Sequence, residues 1–202
     1  MPARGPAPAR AFIFDLDGTL TRAQLDFAAI RAEMGIGDGP ILEELELLAP
    51  PRAKAARKVL EAHEERAATT STLQAGAKEV LEELRRRKLP TAILTRNSRR
   101  SLDTVIKKHH LVVDETLSRE EAPVKPSPAP VLLLCRRLGA EPANTFLTGD
   151  YIFDIEAANR AGAVSVLLLN KNNSRFSEQA ALRISQLKEI LDFLEQQSEK
   201  SP

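Results

Sequence analysis

The feature that most constrains this chain is an alternation along its length. Short apolar runs are separated by stretches whose apolar residues recur at helical spacing. The runs are residues 11–16 (AFIFDL), 91–95 (TAILT), 145–148 (TFLT) and 164–169 (VSVLLL), with Val112 and Val113 as a shorter candidate. Between them, Ala77, Val80, Leu81 and Leu84 follow the i, i+3, i+4, i+7 rule, as do Val131, Leu134, Cys135 and Leu138. Gly139 and Gly162 stand where helices should stop, and Ser98 and Ser185 where helices should start. Strands alternating with helices predict an α/β fold with a parallel sheet covered on both faces.

Residues 22–73 break the alternation. They contain no strand-like run, and residues 24–34, 41–49 and 51–68 read as helices separated by Gly35, Gly37, Gly39 and Pro50. The chain therefore divides into a core over 11–21 and 74–197 and a small all-helical insertion over 22–73. Residues 1–10, with three prolines and a glycine, read as a flexible tail, and the polar residues 198–202 as a frayed end.

Composition excludes several classes of function. Twenty-nine Lys and Arg against 28 Asp and Glu leave no chain-wide positive excess of the kind nucleic-acid binding uses. The apolar runs are far shorter than a membrane span. A single cysteine, Cys135, cannot form an internal disulfide, so a reducing, cytoplasmic setting is expected. The basic tail leaves an organellar address open. Oligomeric state is open too, because Leu45, Leu47, Leu48 and Leu60 suit either the core of the insertion or an interface. His63, His109 and His110 read as helix-surface residues.

In an open parallel sheet, ligands gather at the carboxyl ends of the strands. Asp15 and Asp17 close the first run, Thr95 the second, and Asp150 and Asp154 follow the third, while Lys125 sits in a loop with Pro123, Pro126, Pro128 and Pro130. This set contains no histidine and no cysteine. Clustered carboxylates raise one another's pKa unless a cation sits among them. Oxygen-only ligands suit Mg²⁺, which takes one or two carboxylates and a substrate phosphate. Thr95 and Lys125 offer a hydroxyl and a positive charge to phosphate oxygens. An aspartate can then act as the nucleophile, and a second acid two residues away can serve the leaving oxygen and then water.

In order along the chain, DLDGTLT (residues 15–21), ILTRN (93–97), VKP (124–126) and GDYIFDI (149–155) resemble the four motifs of the haloacid dehalogenase-like hydrolase superfamily. The chain is similar to the phosphoglycolate phosphatase-like members with a small helical cap. The resemblance implies a Rossmann-like core with the insertion as cap. It also implies Asp15 as nucleophile and Asp17 as general acid and base. The metal set would be Asp15, Asp17 through its backbone carbonyl, Asp150 and Asp154, with Mg²⁺ as cofactor. Thr95, Arg96 and Lys125 would bind phosphate, and Asn97 would reach the substrate. The implied activity is hydrolysis of a small phosphorylated metabolite through an aspartyl-phosphate. A phosphomutase on a sugar phosphate and a non-catalytic binding protein on the same fold are the alternatives.

Overall fold

The computed structural model describes residues 11–198. Six strands form one sheet: β1 (Ala11–Phe14), β2 (Thr91–Leu94), β3 (Glu115–Leu117), β4 (Thr145–Gly149), β5 (Val164–Leu168) and β6 (Leu182–Ile184). Their order is β3-β2-β1-β4-β5-β6 and every pairing is parallel. The chain runs outward in opposite directions from β1 and β4, so a topological switch point lies between them. The α/β architecture with a Rossmann-like sheet agrees with the sequence reading.

Alternation along each strand sends side chains to two separate cores. Phe12, Phe14 and Ile93 face α4 (Ala77–Arg86), α5 (Arg99–His109) and α8 (Glu189–Ser198). Ile13, Ala92, Leu94 and Leu147 face α6 (Ala129–Leu138) and α7 (Ile152–Ala161). Helix stops fall where glycine was expected: Gly139 and Gly162 cap α6 and α7 in the left-handed region. Ser98 caps α5 by accepting the Ser101 N–H.

Three expectations are corrected. Val112 and Val113 are not a strand; β3 begins at Glu115, because the chain is still leaving the left-handed cap at His110 and Val112 is half exposed. β6 was missed: it is an edge strand of three residues whose central Arg183 faces solvent. Ser185 does not cap the last helix directly, since α8 starts at Glu189, whose carboxylate accepts the Ser185 and Gln186 N–H groups. The expected tail over 1–10 lies outside the described residues, as does the expected frayed end, apart from Ser198 at the end of α8.

Between β1 and α4 stand α1 (Phe27–Met34), α2 (Ile41–Glu46) and α3 (Pro50–Thr70). The two crossings into this insertion are paired: the Arg22 N–H donates to Thr72 and the Gln74 N–H to Leu20, around an antiparallel bridge between Thr21 and Leu73. Ile30, Met34, Ile41, Leu45, Ala56 and Leu60 form a core of its own. Leu45 and Leu60 are therefore internal, whereas Leu47 is 80% exposed. The two halves of α3 have different partners. Ala56 and Leu60 pack on α1 and α2, while Ala68 belongs to the main core and the C-terminal half lies on α5. Lys108 of α5 donates to the Thr69 and Ser71 carbonyls at 2.6 and 2.7 Å, a cation at a helix C-terminus.

Candidate active site

The carboxyl ends of β1, β2 and β4 bring the expected residues to one place. Asp15 follows β1 and continues its pairing, its N–H donating to the Thr148 carbonyl at 2.9 Å. Lys125 crosses from the loop after β3. Its ammonium donates to Asp15 Oδ1 at 2.6 Å, Asp154 Oδ1 at 2.5 Å and the Leu94 carbonyl at 2.9 Å. The second oxygen of Asp154 accepts the Tyr151 N–H at 3.1 Å, so this carboxylate is fixed at the start of α7 from both sides. Asp154 sits at the third helical position of α7 and reaches back to the N-cap backbone.

Asp17 is held differently. Thr21 Oγ1 donates to one of its oxygens at 3.2 Å and the Asn97 amide to the other. Asn97, assigned to the substrate from sequence, is thus a partner of Asp17. Thr95 is buried, and its hydroxyl accepts the Asn97 N–H at 3.1 Å. Arg96 was assigned to phosphate. Its guanidinium instead contacts Glu43 of the insertion, the Lys125 carbonyl and the face of Phe153.

Gly18 makes the loop after β1 possible. Its φ is +83°, and a Cβ there would fall on the Asp150 carboxylate. The close approach of the β1 loop to Asp150 therefore requires glycine on two counts.

Asp150 has partners that the sequence reading missed. Asn170 donates to its Oδ2 at 3.1 Å, and Asn173 to its backbone carbonyl at 2.8 Å. Both follow β5, where a cluster of asparagines was the available signal. Glu43 was missed as well, because nothing in a helical acid reveals which cation it will meet.

Burial raises the Asp15 carboxyl well above its ordinary value; Lys125 works against this, and Asp154 and Asp150 add to it. Burial likewise raises Asp17 against the lowering influence of Asn97 and Thr21. Burial and then the Asp154 charge push Asp150 up to about 7. Burial lowers the Lys125 ammonium, but Asp15 and Asp154 outweigh that and hold it above its usual range. The site thus carries more buried negative charge than its lysine balances. Asp15, Asp150 and Asp154 each offer an oxygen within 4.8 Å of the other two. That donor set, oxygen only and short of positive charge, fits a small hard dication.

The sequence profile of the haloacid dehalogenase-like hydrolases matches residues 24–162. The chain belongs to this family. It is 30% identical over 172 residues to a haloacid dehalogenase-like hydrolase domain-containing protein of Arabidopsis thaliana, covering 79% of this chain and 70% of that one. It is 32% identical over 186 residues to a phosphoglycolate phosphatase of Haemophilus influenzae, covering 76% of this chain and 82% of that one. A crystal structure described as a predicted phosphoglycolate phosphatase, from Haemophilus somnus, superposes with a TM-score of 0.74 at 23% identity, covering 94% of this chain and 99% of that one. This haloacid dehalogenase-like hydrolase therefore shares its fold across nearly the whole length of that neighbour. Among the described residues, no helix is long and apolar enough to cross a membrane.

Proposed function

We propose that this hydrolase is a cytoplasmic, Mg²⁺-dependent phosphatase of small phosphomonoesters that works through an aspartyl-phosphate on Asp15. The reading rests on one observation above all. Two carboxyls two residues apart have different partners: buried Asp15 is bound to an ammonium, while half-buried Asp17 is held by neutral donors. In the first, Lys125 opposes the burial that disfavours the carboxylate; the second leaves a proton carrier beside it.

In the first half-reaction an Asp15 oxygen attacks phosphorus, and the bond from phosphorus to the leaving alcohol oxygen breaks. Asp17 gives its proton to that oxygen. In the second, Asp17 takes a proton from water. The water oxygen attacks phosphorus, the bond to Asp15 breaks, and inorganic phosphate leaves. Lys125 opposes the burial of the Asp15 charge and faces phosphoryl oxygens, Thr95 contributes at the end of β2, and Asn97 orients Asp17. Asp15, Asp150, Asp154 and the Asp17 carbonyl would hold Mg²⁺, which supplies charge neutralisation at the phosphoryl group when bound. Residues 22–73 form the cap that excludes water and frames the leaving group. The phosphatase name of the Haemophilus influenzae relative supports the reaction class.

Purified protein with Mg²⁺ is expected to release phosphate from p-nitrophenyl phosphate, to lose this activity in EDTA, and to lose it in the Asp15→Asn variant. Full activity in Asp15→Asn would remove the assigned nucleophile.

A further inference from the structure

Asp150 is gripped at two points by one short loop, residues 170–173, which follows β5. Asn173 is 2% exposed, and its amide nitrogen donates to the carbonyls of Asp150 and Leu168, both at 2.8 Å. Its oxygen accepts the Asn170 N–H at 2.8 Å. The side-chain oxygen of Asn170 in turn accepts the Asn172 N–H at 2.9 Å. The Asn170 nitrogen is thereby the end left to donate to Asp150 Oδ2, at 3.1 Å. These contacts close a ring that runs from the Asp150 carbonyl through Asn173 and Asn170 to the Asp150 carboxylate. Backbone groups set the direction of both amides in it.

The ring completes a pattern shared by the three clustered acids. Lys125 donates to Asp15 Oδ1 and to Asp154 Oδ1, and the Tyr151 N–H donates to Asp154 Oδ2. With Asn170 on Asp150 Oδ2, four of the six carboxylate oxygens already accept an N–H. No acid is left with both oxygens open. An engaged oxygen is a poor second ligand, because a cation taking it must first displace the donor. Mg²⁺ loses little by this, since it binds through one or two carboxylates and keeps several waters. Ca²⁺ loses more, since it takes about six to eight oxygens and readily uses both oxygens of one carboxylate.

We propose that Asn170 is a positioning residue that sets the choice of cation: by holding Asp150 Oδ2 it confines Asp150 to ligation through one oxygen, which favours Mg²⁺ over Ca²⁺. This rests on the metal assignment of the phosphatase reading and adds the residue that discriminates between dications. Of the three donors, Asn170 is the one whose side chain can be changed without touching the reaction. Lys125 faces the nucleophile, and the Tyr151 donor is main chain. Asn170 is exposed, so truncating it opens no cavity in either core.

The test is calorimetric titration of the substrate-free protein with Mg²⁺ and, separately, with Ca²⁺, in the wild type and the Asn170→Ala, Asn170→Asp and Asn172→Ala variants. Asn170→Ala should weaken Mg²⁺ binding about tenfold, the lower end of what losing a contact behind a ligand costs, and leave Ca²⁺ binding equal or tighter. The ratio of the two affinities then falls about tenfold or more. Asn170→Asp keeps an oxygen for the Asn172 N–H but has no N–H for Asp150, so the ratio should fall there too. Asn172 brings only its backbone N–H to Asn170, so Asn172→Ala should keep the wild-type ratio. Equal weakening of both cations in Asn170→Ala would overturn the proposal, because a purely structural role predicts it. An unchanged ratio in either Asn170 variant, or a matching fall in Asn172→Ala, would overturn it as well. No substrate is present, so the two readings separate. A ratio that falls as expected in a protein releasing no phosphate would count against the phosphatase reading alone, and a wild type that binds neither cation would overturn both.

Discussion

Replacing Arg119 by methionine should expose how α3 is fixed to the core. Glu64 and Arg119 are almost fully enclosed, at 3% and 4% exposure. Removing one partner of a buried pair leaves an uncompensated charge and costs about 3–5 kcal/mol. The carboxyl can escape by taking up a proton, which sets a ceiling on the penalty. Burial already raises Glu64 above its ordinary 4.5, with Arg119 the first influence pulling it down. An acid with a raised folded pKa loses stability as pH rises from its unfolded value through its folded one. Without Arg119 that window extends upward. Keeping Glu64 protonated costs about 1.4 kcal/mol for each pH unit above its unfolded value, hence about 3.4 kcal/mol at pH 7 and about 0.7 kcal/mol at pH 5. For a chain of this size, roughly 2–4 °C of melting temperature corresponds to each kcal/mol. The expected loss at pH 7 is then roughly 6–14 °C, shrinking to a few degrees at pH 5. Thermal unfolding at pH 5, 6 and 7 reads this directly. Adding Glu64→Gln should restore most of the stability and flatten the pH dependence, because the amide oxygen still accepts the Ser98 N–H. A penalty equal at pH 5 and pH 7, or a double variant no more stable than Arg119→Met, would refute the reasoning.

Gly18→Ala places a methyl group on the Asp150 carboxylate and forces a left-handed backbone that costs about 1–2 kcal/mol. Phosphate release should fall at least about tenfold, with only a few degrees lost in melting temperature; wild-type activity would show that Asp150 need not sit where it does. Because Asp150 is held up to about 7, a cation entering the site must displace a proton below that pH. The apparent Mg²⁺ affinity should therefore weaken as pH falls below about 7, by up to about tenfold per unit for one proton. Titration calorimetry at several pH values checks this, and a flat affinity between pH 5.5 and 8 would refute it.

Much of the fold was legible because its central strands are buried on both faces. β1, β2, β4 and β5 are apolar throughout apart from Ser, Thr and Gly, and each was found within two residues of its observed end. The edge strands were not legible, for the same physical reason. β3 and β6 have one open side, so Glu115 and Arg183 can occupy them without cost, and no apolar run marks the strand. The site divides along a similar line. Asp15, Thr95, Lys125 and Asp150 stand at chain turns after strands, where local sequence reports position. The partners of Arg96, Asn97 and Asp150 come from 53, 80 and 20 residues away, and no local pattern encodes such a pairing. Arg96 is an example: its charge suggested phosphate, and nothing local announced its contact with Glu43 of the insertion.

Two of the ion pairs between insertion and core, Glu64–Arg119 and Glu43–Arg96, differ in what thermal motion can do to them. A buried pair that costs about 3 kcal/mol to break is open in fewer than about one molecule in a hundred. A rim pair worth at most about 1 kcal/mol is open in roughly one in six or more. The weaker hold on the insertion is therefore the one at α2, beside Arg96, and the stronger the one at the junction of α3 with α5. The Thr21–Leu73 bridge and the Lys108 contacts at the end of α3 act in the same direction: the first pairs the two crossings at the base of the insertion, and the second ties the end of α3 to α5.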